Sequence, residues 1–296
     1  MDFRTLIVAS DLAERLDRPG LVLLDCRFDL MQPAEGHKAW LESHIPGARH
    51  ADLDRDLTGV ITPETGRHPL PHAEEMAKRF GAMGIGNNVQ VIVYDESNGG
   101  IAARAWWLLR WLGHERVALL DGGYSRWVSL NLPVRSGAEP VTAAQFEANV
   151  RHEWVVGLEA LLERPGAIED LRLVDARDAA RFRGEHEPID PVAGHIPGAR
   201  NLFFEDTLAA DGTMLPEATV RDRLLRVLDG DLERDWSIMC GSGVTACQLA
   251  LAAKHAGVRA PRLYAGSFSE WIRDPARPVG REQPAPDSGC ADRTAT

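Results

Sequence analysis

One cysteine in this sequence stands where its surroundings favour nucleophilic chemistry. Cys240 follows an apolar run and opens the segment CGSGVTA at 240–246, which leads into a stretch of helical composition at 247–255. Small residues between a strand and a helix let successive backbone N–H groups turn toward the sulfur, and the helix N-terminus adds positive potential. Both effects stabilise a thiolate, so we predict that Cys240 is a nucleophile at neutral pH. The predicted backbone donors to its sulfur are Gly241, Ser242, Gly243, Val244 and Thr245.

Two other uses of such a cysteine fit the sequence less well. A phosphatase-type loop needs an arginine that closes a Cys-x5-Arg segment, but Ala246 holds that position and the next arginine is Arg259. A metal site built from Cys240 and Cys247 lacks a matching histidine pair. We therefore expect neither a metal nor an organic cofactor.

The chain contains a tandem repeat. HIPGAR at 44–49 recurs letter for letter at 195–200, and LLDCR at 23–27 parallels LVDAR at 173–177. GGYSRW at 122–127 matches GSFSEW at 266–271. A repeat of this length predicts two similar domains, in agreement with a chain of 296 residues.

Within each copy, short apolar runs alternate with longer segments of helical period, such as 102–112. This alternation is typical of a parallel sheet covered by helices on both faces, an α/β fold. The predicted strands are 21–25, 89–95, 117–120, 172–175, 236–240 and 262–264. We predict domains at 1–140 and 154–280, a linker at 141–153 and a mobile tail at 281–296, which includes Cys290.

These segments resemble the two-domain members of the rhodanese family of sulfurtransferases. The resemblance rests on HIPGA in both halves, DGGYSRW at 121–127 and the Cys240 loop. It implies that Cys240 takes a sulfane sulfur from a small donor, carries it as a persulfide and passes it to a thiol or to cyanide, with thioredoxin among the candidate acceptors. Asp95 stands in the first copy where the second has Cys240, so the first domain is expected to be inactive.

The loop sequence bears on the choice of donor. CGSGVTA resembles the loop of family members that use 3-mercaptopyruvate, whereas thiosulfate-preferring members carry two basic residues at the positions of Gly241 and Ser242. A thiosulfate dianion needs cations close to the sulfur more than a monocarboxylate does. We expect 3-mercaptopyruvate as the donor, with thiosulfate as the alternative and a non-catalytic sulfur-relay module as a third reading.

The resemblance also implies partners for Cys240. It pairs Asp54 and His68 with the loop residue Ser242, as a set that moves protons during catalysis. It places a substrate-binding arginine at Arg181, whose planar guanidinium can hold a carboxylate with two hydrogen bonds. The sequence departs from the mercaptopyruvate pattern at Ile189, where those members commonly have a second arginine.

Four further basic residues are expected to have plainer roles. His44 and His195, each ahead of Ile-Pro-Gly, are predicted to hold turns. Arg104, in the segment of helical period, is expected to be solvated. Arg183, two residues beyond Arg181, would face a different direction and is ranked below it for donor binding.

Charge and composition exclude several classes of function. Lys+Arg 33 against Asp+Glu 44 gives a net charge of −11, which argues against binding to nucleic acid or anionic lipid. The longest apolar runs, at 105–109 and 249–253, are far shorter than a membrane span of roughly 20 residues. No secretory signal is recognisable at the N-terminus, and four irregularly spaced cysteines do not form a disulfide framework, so a cytoplasmic location is expected.

Overall fold

The computed structural model describes residues 2–96 and 98–281, so that the predicted mobile tail beyond 281 and Cys290 lie outside the described residues. The strands are β1 (Leu6–Ile7), β2 (Leu21–Asp25), β3 (Ala48–His50), β4 (Gln90–Tyr94), β5 (Val117–Leu120), β6 (Leu173–Asp175), β7 (Arg200–Asn201), β8 (Ser237–Met239) and β9 (Arg262–Leu263). The α-helices are α1 (Ala9–Ala13), α2 (Pro33–Glu42), α3 (Leu53–Asp56), α4 (Ala73–Ala82), α5 (Ala102–Trp111), α6 (Gly123–Ser129), α7 (Leu158–Leu162), α8 (Ala167–Asp170), α9 (Ala179–Arg183), α10 (Glu217–Val227), α11 (Ala246–His255) and α12 (Ser267–Trp271). Short 3-10 helices lie at His152–Trp154 and Phe204–Thr207.

The strands form two parallel sheets. The first has the order β1-β5-β4-β2-β3 and the second the order β7-β6-β8-β9. The predicted α/β fold with two tandem domains is therefore confirmed. The prediction missed β1, β3 and β7, which have two or three residues each and no apolar alternation that would mark them as strands.

Asp95 and Cys240 occupy the same position in the two sheets. In the first sheet β4 pairs with β2 so that Tyr94 lies opposite Asp25, and Asp95 follows directly. In the second sheet β8 pairs with β6 so that Met239 lies opposite Asp175, and Cys240 follows directly. Loops at the carboxyl ends of parallel strands are the usual location of binding sites in open α/β sheets.

The helices that follow these two loops, α5 and α11, pack against each other and join the two domains. All ten residues of α5 are buried, as are residues 246–253 of α11. A helix that is buried all round lies inside a core rather than on its surface. The Cys240 loop, at the start of α11, is therefore placed directly against the first domain.

Candidate active site

The Cys240 side chain lies at the end of β8 and is only 2% exposed. Its Sγ accepts a hydrogen bond from the Gly243 N–H, with an N–S distance of 3.1 Å. Gly243 has a φ of +75°, and a Cβ at that position would meet the Ala265 carbonyl oxygen at 2.4 Å. Glycine is therefore required for the loop to turn its N–H toward the sulfur.

The repeated segment at 266–271 forms hydrogen bonds to the backbone of this loop. The Cys240 carbonyl accepts a hydrogen bond from the Phe268 N–H at 3.1 Å, and the Gly241 carbonyl accepts one from the Ser269 N–H at 2.9 Å. The Cys240 N–H donates to Ser267 Oγ at 3.1 Å. The repeat that the sequence shows at 122–127 and 266–271 thus corresponds to a backbone clamp on the residue after the central strand.

The equivalent loop of the first domain binds the carboxylate of Asp95. The Asp95 carboxylate accepts hydrogen bonds from the N–H groups of Gly99, Ile101 and Ala102 at 2.9, 2.8 and 2.7 Å. Asp95 is 1% exposed, so a buried negative charge is stabilised there by backbone donors at the start of α5. The strand-loop-helix unit of this chain is built to hold an anion at the position that Cys240 has in the second domain.

Asp54, His68 and Ser242 lie in a row of close polar contacts that crosses between the domains. His68 Nδ1 lies 2.7 Å from Ser242 Oγ, and His68 Nε2 lies 3.2 Å from Asp54 Oδ1. A carboxylate at Nε2 fixes the proton on that nitrogen, so that Nδ1 accepts the Ser242 hydroxyl proton. The structure brings together the three residues that the resemblance pairs.

The environment keeps this histidine uncharged. His68 is 5% exposed, and its burial lowers the pKa to about 3, assisted by the positive charges of Arg104 and Arg67. Burial and the neighbouring Asp52 raise the pKa of Asp54. The imidazole that contacts Asp54 is therefore neutral near neutral pH.

The expectation from the sequence that Arg104 is solvated is wrong. Its side chain on α5 is completely buried, and its Nη1 donates to the Gly243 carbonyl at 3.0 Å. Its Nη2 donates to the His68 carbonyl at 3.1 Å and to the Pro69 carbonyl at 3.3 Å. One guanidinium therefore ties the sulfur loop of the second domain to the His68 segment of the first. The sequence did not indicate this role because a single arginine among apolar helix residues carries no local sign of its partner.

Arg181 lies beside the cysteine loop, and one edge of its guanidinium is already bound. Nε and Nη2 donate to the two carboxylate oxygens of Glu187 at 3.0 and 2.8 Å. A donor carboxylate would have to approach the remaining side of the guanidinium. Arg181 is therefore oriented by a protein carboxylate rather than free to close on a donor.

A cavity of about 70 Å³ lies over the loop and is lined from both domains. Its lining includes all the predicted backbone donors except Gly243, and it adds Arg67, which the sequence analysis did not single out. Burial lowers the pKa of Arg67, while the nearby Cys240 acts in the opposite direction. Arg67 directly precedes His68, but nothing local marked it because its position depends on how the domains meet. Ile189 also lines the cavity and adds no charge.

The other described cysteines are buried and poorly suited to chemistry. Burial, with Asp95 nearby, raises the pKa of the Cys26 thiol. Burial raises the pKa of Cys247 to about 12, and its Sγ donates to the Gly243 carbonyl at 3.4 Å. Within 2–96 and 98–281 no cluster of three His, Cys, Asp or Glu side chains is arranged to hold a metal ion.

His44 and His195 form hydrogen bonds to the backbone. The Nδ1 atom of His44 lies 2.7 Å from the Trp40 carbonyl oxygen, and that of His195 lies 2.7 Å from the Phe182 carbonyl oxygen. The equal distances in the two repeats agree with the predicted role of these histidines in holding turns.

The fold and the site together define a class: a duplicated α/β domain in which one central strand ends in an anion-holding loop with a cysteine. Comparison with known proteins gives the same class. The model of the rhodanese-like domain matches twice, at residues 8–130 and 157–274.

Relatives align over nearly the whole chain. A Pseudomonas aeruginosa protein named as a probable 3-mercaptopyruvate sulfurtransferase is 46% identical, covering 94% of this chain and 99% of its own length. A Mycobacterium tuberculosis protein named provisionally as a thiosulfate sulfurtransferase, SseB, is 38% identical, covering 94% and 97%. The crystal structure of SseA from Escherichia coli, described among the 3-mercaptopyruvate sulfotransferases, superposes with a TM-score of 0.78 at 30% identity, covering 90% of this chain and all of that one. The chain belongs to the rhodanese family, in its two-domain form.

Proposed function

We propose that this protein is a sulfurtransferase that moves a sulfane sulfur from 3-mercaptopyruvate to a thiol or cyanide through a persulfide on Cys240. The observation that carries the proposal is the placement of the Cys240 sulfur against the Gly243 N–H, next to Ser242, which is hydrogen-bonded to His68, with Asp54 in contact with the far side of the imidazole. The names of its relatives support the same reaction class.

In the donor step the Cys240 thiolate attacks the thiol sulfur of 3-mercaptopyruvate. A sulfur–sulfur bond forms, the carbon–sulfur bond breaks, and its electron pair enters the carbonyl group to give the enolate of pyruvate. The proton of the donor thiol moves to the enolate carbon, which leaves pyruvate and an ionised Cys240 persulfide. Backbone donors of residues 241–245 stabilise that anion, as the equivalent donors stabilise Asp95 in the first domain.

Ser242 and His68 are positioned to carry this proton. The Ser242 hydroxyl takes the proton from the donor thiol while it passes its own to His68 Nδ1, and the reverse transfer delivers a proton to the enolate. Because the pKa of His68 is about 3, the imidazolium is a high-energy state and the proton does not remain on it. Asp54 holds the ring in the orientation that this relay needs.

In the acceptor step Cys240 is the leaving group rather than the nucleophile. A thiolate or cyanide attacks the outer sulfur of the persulfide, the sulfur–sulfur bond breaks, and its electron pair returns to Cys240. Because both half-reactions use the same cysteine, ping-pong kinetics are expected. Thioredoxin is a candidate protein thiol for this step.

The charge of His68 gives a pH prediction. Its depressed pKa means that it gains a proton only as the pH falls through about 3, so it stays neutral from pH 5 to pH 8. The ratio of kcat/KM for the donor in wild type and in His68→Gln should be constant across that range, because titrations of other groups cancel in the ratio. A ratio that declines below about pH 6.5, the ordinary histidine range, would show that His68 is protonated there and that the relay is wrong.

The choice of donor is tested by a comparison of kcat/KM for the two substrates. Gly241 and Ser242 place no cation in the loop, and the charges of Arg67 and Arg181 are matched by the carboxylates of Asp190 and Glu187. We therefore expect kcat/KM for 3-mercaptopyruvate to exceed that for thiosulfate by about tenfold or more with cyanide as acceptor, a difference of about 1.4 kcal/mol. Equal or reversed preference would replace the proposed donor with thiosulfate.

Thiosulfate remains the second candidate donor because two arginines lie near Gly241. A purely sulfur-relaying module would not need Asp54, His68 and Ser242 in contact beside the cysteine. None of the described helices has both the length and the apolar character that a bilayer crossing requires. We propose a cytoplasmic location, and with a net charge of −11 we propose no nucleic-acid or membrane partner.

A further inference from the structure

A negative charge on the Cys240 sulfur needs a positive charge that His68 does not supply. The Cys240 side chain is 2% exposed, so its thiolate and the persulfide anion formed from it are buried charges. In many cysteine enzymes a protonated histidine balances such an anion. The pKa of His68 is lowered to about 3, and its imidazole is therefore uncharged near neutral pH. Another cation has to balance the sulfur anion, because a buried charge without a partner is costly.

The elements packed around the Cys240 sulfur bring several titratable side chains toward it: Arg67, His68, Arg104, Arg177, Arg181 and Cys247. Three of these arginines are paired with carboxylates: Arg67 with Asp190, Arg177 with Asp175 and Arg181 with Glu187. Burial raises the pKa of Cys247 to about 12, so its thiol is neutral near neutral pH. The charge of Arg104 is the one that these pairs leave unmatched.

Arg104 is a completely buried cation with no carboxylate partner among the described residues. Its guanidinium donates hydrogen bonds to three backbone carbonyls, those of Gly243, His68 and Pro69. Its Nε atom has no hydrogen-bond partner within the described part of the chain. Neutral carbonyl groups solvate a cation but do not cancel its charge. The protein therefore retains a buried positive charge behind the Cys240 loop.

Gly243 connects this charge to the sulfur. The Gly243 carbonyl oxygen accepts a hydrogen bond from Arg104 Nη1 at 3.0 Å, and the Gly243 N–H donates to Cys240 Sγ at 3.1 Å. One residue therefore separates the guanidinium from the sulfur. Charges at this separation interact far more strongly in a buried site than in water. The same positive charge helps to lower the pKa of His68, which keeps the imidazole neutral.

We propose that Arg104 is the counter-ion of the sulfur anion on Cys240, both in the thiolate and in the persulfide. Arg104 does not touch the sulfur and is therefore a positioning residue, which acts through the Gly243 peptide and through its charge. The first domain, which has no nucleophile of its own, thus supplies the charge that the second domain needs. This proposal rests on the proposed function, since it names what balances the charge of the proposed intermediate.

The test compares Arg104→Gln with Arg104→Lys. Glutamine removes the charge but can still donate hydrogen bonds to the carbonyls, whereas lysine keeps the charge on a side chain of different shape. Ionisation of Cys240 is followed by ultraviolet thiolate absorbance against pH, and the same curve from each variant with Cys240→Ser added is subtracted. The midpoint should rise by about one pH unit or more in Arg104→Gln and stay within about half a unit of wild type in Arg104→Lys.

A purely structural role of Arg104 predicts a different result. Both substitutions remove the planar guanidinium, so a loss of structure alone would shift the two midpoints equally or leave both unchanged, and either outcome would overturn the proposal. Persulfide formation from the donor gives a second reading. In Arg104→Gln its rate should fall below the new midpoint and recover above it, as the thiolate forms.

Arg110→Gln is the matched control. Arg110 is also a buried arginine of α5, but it pairs with Glu115 at 3.1 Å and lies away from the Cys240 loop. Its removal should lower the thermal midpoint, because Glu115 loses its partner, and leave the thiolate midpoint unchanged. A thiolate shift in Arg110→Gln equal to that in Arg104→Gln would show that the shift reports loss of stability, and it would overturn the proposal.

A measurement on wild type does not depend on the folding of any variant. A buried counter-ion is screened little by salt, so the thiolate midpoint should move by less than about 0.3 pH unit between about 0.05 M and 1 M salt. A larger rise with salt would mean that exposed charges at the cavity mouth balance the anion, and it would overturn the role of Arg104.

The thiolate measurements need no donor, so they separate this proposal from the proposed function. Failure of wild type to use 3-mercaptopyruvate, together with the expected shift in Arg104→Gln, would count against the proposed donor alone. An unshifted thiolate midpoint in an Arg104→Gln protein that still transfers sulfur from 3-mercaptopyruvate would overturn the role of Arg104 alone.

Discussion

Cys240→Ser should abolish sulfur transfer, with a fall in turnover of at least about a thousandfold, because a hydroxyl cannot form a persulfide and reacts poorly with sulfur. The substitution replaces one atom in a side chain that is 2% exposed, and the Gly243 N–H can still donate to the new oxygen. The thermal midpoint should therefore stay within a few degrees of wild type. Turnover and thermal midpoint are measured on the same preparation.

Cys26→Ala is the matched control for this variant. Cys26 occupies, in LLDCR, the position that Ala176 occupies in LVDAR, so the fold already accepts alanine there in its second copy. Its thiol is completely buried with a raised pKa and should make no contribution to turnover. Mass spectrometry after donor treatment should find one added sulfur atom on the Cys240 peptide of wild type and of Cys26→Ala. Substantial activity in Cys240→Ser, or an added sulfur on another cysteine, would mean that the nucleophile is elsewhere.

The parts of this molecule that depend on local sequence could be predicted. The α/β fold follows from the alternation of apolar runs and helical segments within each repeat, and the loop after β8 follows from small residues between a strand and a helix. Gly243 is an example: its left-handed φ and its N–H toward Cys240 are properties of a few consecutive residues. The short edge strands β3 and β7 were missed because their residues, ARH and RN, are mostly polar and form no apolar run.

The parts that depend on how the two domains meet could not be derived from spacing. Arg104 and the Gly243 carbonyl are 139 residues apart, and Arg67 and Asp190 are 123 residues apart. No periodicity relates such positions, and their contact arises only when α5 packs against α11. The pairing of His68 with Ser242, 174 residues apart, was available only through the family resemblance.

The charged residues around the cavity also could not be predicted from the sequence alone. Ile189 in the sequence suggested that a cation was missing from the donor site. In the folded protein Arg67 reaches the same region from the other domain, and Asp190, next to Ile189 in the chain, neutralises it. The balance between 3-mercaptopyruvate and thiosulfate therefore depends on a set of residues from two domains rather than on the loop alone.

Arg181→Lys should weaken the donor half-reaction and leave the onward reaction of the persulfide intact. In wild type, Nε and Nη2 of Arg181 are held by Glu187, so the guanidinium is oriented while its remaining donors face the cavity. A lysine ammonium cannot bind both Glu187 oxygens and a donor carboxylate in this geometry. Loss of one charge-assisted hydrogen bond costs about 1.5 to 3 kcal/mol, so kcat/KM for the donor should fall roughly ten- to a hundredfold.

Single-turnover measurements separate the two half-reactions of this variant. Cys240 is loaded with a surplus of donor, the excess is removed, and the acceptor is then added; loading should be slow and discharge normal. Arg183→Lys is the matched control, because Arg183 lies two residues further on, is half-exposed and pairs with Glu185 at 2.7 Å. It should load and discharge as wild type does. Normal loading with slow discharge in Arg181→Lys would place Arg181 on the acceptor side, since a residue that only orients the donor's carboxylate has no part in a step that begins after pyruvate has left.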